Sequence, residues 1–419
     1  MKKLIIRKSP PLRGNVKISG SKNAALPILA ASLLSCEPVR LSNIPALSDI
    51  VVICEILEQL GCRIFSDGKS SLLIHSSDIH SFVAPYELTG KIRASFLIIG
   101  PMLARFGKIR LSLPGGCPIG TRPVDLHLKG LAALGAEISQ GYGYIELSAH
   151  KLRGTRFYLD FPSVGATENI LTASVLADGI TIIENASAEP EIVDLASFLC
   201  SMGASIHGAG TDTIRVKGVS HLHGTNYSII PDRMEAGTFM VAAAMTQGDI
   251  TLHNVIPDHV KPVTAKLREM GASISCSDDT LHIRSDNTVH RLDIKTLPFP
   301  GFPTDMQAQM MALLSLAEGT SIITETIFEN RFMHVAELVR MGANIKIEGR
   351  TAIIKGMSQL TGANVCATDL RAGASLALAG LSAEGETTIS AIHHIERGYE
   401  NFAHKLRLLG ADTEISEIL

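Results

Sequence analysis

The sequence predicts an α/β protein of two globules, each a threefold pseudo-symmetric repeat of buried helices and outer sheets. Three observations carry this. A helix-ending phrase recurs six times, a second kind of helix alternates with it, and short alternating strands follow both.

The first phrase is a helical segment followed by Leu or Met, then Gly, and usually Ala: "LEQLGCRI", "LAALGAEI", "SFLCSMGASI", "AKLREMGASI", "AELVRMGANI" and "HKLRLLGADT". Its glycines are Gly61, Gly135, Gly203, Gly271, Gly342 and Gly410, at spacings of 74, 68, 68, 71 and 68 residues. Charges such as Lys266, Arg268, Lys405 and Arg407 make these helices amphipathic, so each is expected to rest on a sheet with its other face in water. A glycine after each suits a left-handed helix cap.

The second phrase is apolar and rich in small residues, as in "AALPILAASLL", "ATENILTASVLADG", "GTFMVAAAMTQG", "MQAQMMALLSLAEG" and "GASLALAGLSAEG". A helix that is apolar nearly all round is expected to be buried on every side. Its turn glycines are Gly107, Gly179, Gly248, Gly319 and Gly385, with Glu37 in that slot of the first copy. The strands "SLLIHSS", "GYIELSA", "TIRVKGV", "TLHIRSD" and "TAIIKGM" alternate, as in a sheet with one solvated face.

Buried helices argue against an open solenoid, whose units touch only their neighbours. Six repeats then divide into three and three, with the boundary in "GTNYSIIPDRMEAG", which carries a proline and no strong helical pattern. The first globule is expected over residues 21–229. The second is expected over residues 230–419 plus 1–20, because the opening strand has no partner copy at its own end.

Composition narrows the class. With 46% hydrophobic and 19% charged residues in 419, the chain can bury large cores and is not expected to be disordered. No apolar run is long enough to span a bilayer, and the apolar stretch after "MKK" ends too soon, at Arg7, for a signal peptide. A cytoplasmic protein with no membrane partner is expected. A net charge of −3 argues against a general nucleic-acid binder. Seven cysteines without a CxxC pair argue against a zinc site or a disulfide scaffold. Six of them, all but Cys117, read as small core hydrophobes.

Several apolar helices begin beside a cation: Lys22 with Asn23, Arg93, and Arg371 with Asp369. Helix N-termini attract anions, so these ends either converge on an anionic ligand or carry solvated loop charges. Arg122, Arg331 and Arg397 lie in loops, and the arginine fork suits phosphate and carboxylate. Neither a GxxxxGK[ST] loop nor a GxGxxG turn after a strand occurs. Cys117, in "LPGGCPIGTRPVDLH", sits five residues from Arg122, and a cation lowers a thiol's pKa. It reads as a reactive thiol or as one more core cysteine. Asp305, in "FPTDMQAQ", reads as a general base or as a helix N-cap. His127, His393 and His394 read as structural.

The blocks "SGSKNAALPILAA", "LPGGCPIGTRPVDLH", "PSVGATEN", "PEIVDLA", "FPTDMQAQ", "FENRFMHV", "DLRAGASL" and "IERGYE" resemble, in order and from about residue 5 onward, the enolpyruvyl transferases that act on UDP-N-acetylglucosamine. The resemblance implies the enolpyruvyl transferase fold: two inside-out α/β globules with the substrates meeting in the cleft between them. It implies addition of the sugar 3-hydroxyl to C2 of phosphoenolpyruvate, protonation of C3 and loss of phosphate, with no metal or organic cofactor and no obligate protein partner. Phosphoenolpyruvate and UDP-N-acetylglucosamine are the implied partners.

By the same resemblance Cys117 is the proton donor and Asp305 the base for the sugar hydroxyl, with Asp369 near the reacting centre. Lys22, Arg122 and Arg397 match the phosphate-holding groups, and Arg331 and Arg371 those near the carboxylate. Asn23, Arg93, Arg122, Pro123, Val124, Asp125, Leu126, Ser163, Val164, Gly165, Asp305 and Ile327 match the nucleotide-sugar site. Some members carry a lysine two residues before the position of Ser163, where this chain has Phe161-Pro162. The "SVGAT" backbone N–H groups are then expected to do more of the diphosphate binding. The alternatives weighed are the sister transferase, which makes 5-enolpyruvylshikimate 3-phosphate, and a non-catalytic regulator that binds the nucleotide sugar.

Overall fold

The computed structural model describes residues 2–112, 124–141, 143–286 and 289–417. The chain divides into two compact units: among the described residues, one runs from Gly20 to Ile230 and the other combines residues 2–19 with 231–417. Each has its own apolar core. The N-terminal strands explain the composite unit. Strand Lys2–Arg7 lies antiparallel between Glu386–Ser390 and Thr413–Glu417, pairing Leu4 with both Ile389 and Ile415. Strand Arg13–Lys17 runs parallel to Asp249–His253.

In the composite unit, helices Arg233–Met245, Gln307–Leu314 and Leu370–Ser382 are the apolar class, and 12 of 13, 8 of 8 and 11 of 13 of their residues are buried. In the other unit their counterparts are Lys22–Ala31, Val164–Ser174 and Ile99–Phe106, the last entered through the 3-10 turn Arg93–Ile98. Small residues let these helices touch. A Cβ at Gly100 would fall 2.2 Å from Thr172 Oγ1 and 2.5 Å from the Asn169 carbonyl oxygen, so only glycine allows helix Ile99–Phe106 to sit on Val164–Ser174.

Among the described residues the strands form six sheets, three in each unit. Strands such as Thr213–Lys217 alternate buried and exposed residues, the sign of one wet face. Strand Asn226–Ser228, from the end of its unit, pairs parallel with Val39–Ser42 of the first repeat, which closes that unit on itself. Five sheets carry such a parallel fourth strand; the sheet of Lys108–Ser112 has only an isolated parallel bridge from Val83.

All six repeat glycines follow their amphipathic helices with φ from +91° to +117°, the left-handed region that glycine enters at little cost. In the other glycine series, Gly248 is not left-handed; Gln247 before it turns the chain instead, at φ +52°. The stretch read as a boundary also starts a helix: Asp232 Oδ1 accepts from the N–H groups of Met234 (2.7 Å) and Glu235 (3.0 Å).

The cysteines depart from expectation. Of the six read as core hydrophobes only Cys62 is buried; Cys54 is half-buried, and Cys36, Cys200, Cys276 and Cys366 are exposed. Cys366 is on the outward side of strand Asn364–Cys366, opposite buried Val365, and Cys200 on the wet side of helix Pro190–Ser201. Burial follows the facing of the element, and residue type alone does not report it.

Candidate active site

In the unit Gly20–Ile230, Ser21 caps helix Lys22–Ala31 by accepting from Ala24 N at 3.3 Å. The cap fixes Lys22 as the first helical residue, 8% exposed, with Asn23 beside it in water. Lys22 Nζ donates to Asp49 Oδ2 at 3.2 Å. Asp49 stands in the first turn of helix Ser48–Leu60 and is 5% exposed. A buried ammonium without a carboxylate partner would be costly, and Asp49 supplies such a partner.

The other matched residues of this unit gather around His127. The helix Asp125–Ala133 starts after Val124 and carries Asp125 and Leu126 in its first turn. Ser163 caps Val164–Ser174, its hydroxyl accepting from Ala166 N at 3.4 Å. By helix geometry the N–H groups of Val164 and Gly165 then have no intrahelical acceptor. A Cβ on Gly165 would lie 3.0 Å from His127 Cε1, so the two helix starts meet there. Asn169 accepts from Gly100 N at 3.0 Å and donates through Nδ2 to Phe96 O (3.0 Å) and His127 Nδ1 (2.8 Å). His127 therefore accepts at Nδ1 and carries its proton on Nε2. Burial, with nearby Arg93, lowers its pKa to about 3, so it is neutral at physiological pH.

In the composite unit, Asp305 lies in the 3-10 turn Thr304–Met306 ahead of helix Gln307–Leu314. It does not cap that helix. Its Oδ1 accepts from Arg331 Nη2 at 2.6 Å, and its Oδ2 from Arg371 Nη2 at 2.9 Å and Nε at 3.2 Å. Burial alone would raise the carboxyl, but Arg371 and Arg331 outweigh it and hold Asp305 well below the usual carboxylate range. Asp369 caps a different helix, Leu370–Ser382, its Oδ1 accepting from Arg371 N (2.9 Å) and Ala372 N (3.0 Å). Arg331 lies over the Phe328 ring and Arg371 over Tyr399. Nη1 of Arg371 is buried with no partner among the described residues.

Ile327 follows Glu325, a buried carboxylate that accepts from Ile327 N at 2.8 Å. Arg397 ends the short helix His393–Glu396 and, after burial and His393, contributes to lowering the pKa of His394. Cys117, Arg122 and Pro123 lie outside the described residues. The structure thus joins Asp305, Arg331, Arg371 and Asp369 directly, and Lys22 with a partner that sequence reading missed. Asp49, Thr304, Asn169 and Glu325 gave no signal in the sequence beyond being polar residues near helix or strand ends. Among the described residues no group of three His, Cys, Asp or Glu is arranged to hold a metal ion.

The family model for EPSP synthase (3-phosphoshikimate 1-carboxyvinyltransferase) matches residues 6–406. The chain is 59% identical over 411 residues to UDP-N-acetylglucosamine 1-carboxyvinyltransferase 1 of Caldanaerobacter subterraneus subsp. tengcongensis, covering 98% of both. It is 59% identical over 417 residues to enzyme 2 of that name from Carboxydothermus hydrogenoformans, covering 99% of both. The chain belongs to the UDP-N-acetylglucosamine 1-carboxyvinyltransferase family. Enzyme 2 of the same name from Clostridium tetani is 55% identical over 413 residues, 98% of this chain and 99% of that one. Among solved structures, the enolpyruvyl transferase NikO from Streptomyces tendae superposes with a TM-score of 0.90 at 25% identity, over 99% of both chains. The EPSP synthase of Acinetobacter baumannii has a TM-score of 0.80 at 20% identity, over 100% of both, and so shares the fold. The enolpyruvyl transferase fold implied by the resemblance, which agrees with the two globules expected from the repeats, is the fold of this family.

Proposed function

We propose that this protein transfers the enolpyruvyl group of phosphoenolpyruvate to the 3-hydroxyl of UDP-N-acetylglucosamine, releasing phosphate, in peptidoglycan precursor synthesis. The observation that carries the reading is 59% identity over almost the whole chain to relatives of that name, against 20% to the EPSP synthase that shares the fold. The reading implies a cytoplasmic enzyme whose partners are these two small molecules. It agrees with the finding that, among the described residues, no helix is long and apolar enough to cross a membrane.

In this reading the chemistry is carried by the side chains matched through the resemblance. The sugar 3-hydroxyl oxygen bonds to C2 of phosphoenolpyruvate and gives its proton to Asp305. The Cys117 thiol protonates C3. The tetrahedral product then gives a proton from C3 back to the Cys117 thiolate and loses phosphate, which leaves with the C–O electron pair and takes the proton held by Asp305, restoring the vinyl group and both side chains. Lys22, Arg122 and Arg397 hold the phosphate, and Arg331 and Arg371 the carboxylate. Asn23, Arg93, Pro123 to Leu126, Ser163 to Gly165 and Ile327 hold the nucleotide sugar, with the Val164 and Gly165 amides beside Phe161-Pro162. Asp369 sets the start of the helix that carries Arg371.

An aspartate clamped by two guanidinium groups is a weak base. A substrate carboxylate that takes up N–H donors of Arg331 and Arg371, including the buried Nη1, draws those cations from Asp305 and makes it more basic. The base is then strongest once phosphoenolpyruvate is bound. The test is phosphate release from phosphoenolpyruvate with each acceptor. Release with UDP-N-acetylglucosamine and none with shikimate 3-phosphate supports the reading; the reverse refutes it.

A further inference from the structure

We propose that Glu325 is a positioning residue that ties the Ile327 turn to the Asp305–Arg331 pair, so that nucleotide-sugar binding and placement of the base depend on one buried carboxylate. The inference rests on the enolpyruvyl-transfer reading given above.

Glu325 follows strand Thr320–Thr324 and is 1% exposed. Its Oε1 accepts from Thr296 Oγ1 (2.9 Å), Ile327 N (2.8 Å) and Phe328 N (3.2 Å). Its Oε2 accepts from Thr304 Oγ1 at 2.8 Å. Thr304 Oγ1 in turn accepts from Arg331 Nη1 at 2.7 Å, while Nη2 of the same guanidinium holds Asp305. An unbroken chain of hydrogen bonds therefore runs from Ile327 N through Glu325, Thr304 and Arg331 to Asp305. Each link constrains the next: Thr304 has spent its one proton on Glu325, so its lone pairs face Arg331 and fix which guanidinium nitrogen reaches Asp305.

A carboxylate is suited to this node because it only accepts. All four neighbours are donors, and a buried acceptor with four donors orders every one of them. A turn that needed only closing has a simpler solution here. Thr296 already spans it through Thr326, whose N–H donates to Thr296 Oγ1 (2.9 Å) and whose hydroxyl donates to Thr296 O (2.6 Å). The bond to Thr304 is not needed for that closure, and it is the one that reaches the base.

The test is a double-mutant cycle on Glu325→Gln and Thr304→Val, read by steady-state kinetics and thermal unfolding. Glutamine keeps the turn acceptor but presents an amide N–H toward Thr304. Glu325→Gln is expected to raise KM for UDP-N-acetylglucosamine and to lower kcat about tenfold. Thr304→Val is expected to lower kcat by about the same factor with KM for UDP-N-acetylglucosamine within about twofold. Because both act through one link, the double variant is expected to lose no more kcat than the worse single one. Kinetic constants unchanged in either variant, or kcat losses that multiply, overturn the inference. Should Glu325→Gln fail to fold, Thr304→Val decides alone by its kcat. A parent protein that releases phosphate with unchanged variants refutes the Glu325 role only; a parent that releases none refutes the underlying reading as well.

Discussion

Arg371 Nη2 and Nε both donate to Asp305 Oδ2, at 2.9 and 3.2 Å, so the residue matched to the base is gripped by a residue matched to the substrate carboxylate. Arg371→Lys keeps the charge but loses the two-pronged grip. The expected result is a rise in KM for phosphoenolpyruvate of about tenfold with a fall in kcat, measured by phosphate release. Both constants within twofold of the parent would contradict the shared role. The same pair affects stability with a definite sign. Asp305 is held below its unfolded value, so its contribution is complete above about pH 5 and is lost as pH falls through the folded value.

The Lys22–Asp49 pair makes a second prediction. Asp49 holds the ammonium of Lys22, a residue matched to the phosphate of phosphoenolpyruvate. Asp49→Asn should therefore lower kcat/KM for phosphoenolpyruvate about tenfold while leaving KM for UDP-N-acetylglucosamine unchanged. Equal losses for both substrates would point to general damage to the unit.

His127 predicts a pH dependence of stability. Its pKa is about 3 when folded and is near 6.5 when unfolded. Between those values the unfolded chain binds the extra proton, so folding weakens as pH falls from 6.5. His127→Gln, compared with the parent by denaturant unfolding at pH 6.5 and 5.5, should lose about 1 kcal/mol less across that interval. An equal loss in both would place the histidine in contact with water.

The close contact of Gly100 with helix Val164–Ser174 predicts a purely structural defect. Gly100→Ala forces its methyl against Thr172 Oγ1 and the Asn169 carbonyl. Thermal unfolding should report a loss of roughly 2 kcal/mol. An unchanged melting temperature would show that the two helices can separate without cost.

Much of the fold could be read directly. Gly61 to Gly410 recur because each amphipathic helix ends in the same left-handed turn, and a backbone need of that kind leaves a residue-type signature. The buried helices announced themselves by apolarity on all sides. The cysteines misled because exposure depends on which face of a strand or helix points outward. Of the candidate site residues, Lys22, Arg331 and Arg371 stood out in the sequence by their charge beside apolar helices or in loops. It was illegible where a role rests on long-range pairing: Asp49 is 27 residues from Lys22 and Thr304 is 21 from Glu325. Local pattern also could not separate Asp305, bound to two arginines, from Asp369, which caps a helix.

The most direct measurement is mass spectrometry of the nucleotide product after incubation with phosphoenolpyruvate and UDP-N-acetylglucosamine, with phosphate assayed in parallel. The account predicts that UDP-N-acetylglucosamine gains one enolpyruvyl unit, with one phosphate released per product and no such product from a Cys117→Ser variant. Unmodified UDP-N-acetylglucosamine alongside a turned-over shikimate 3-phosphate, or full activity in that variant, would contradict it.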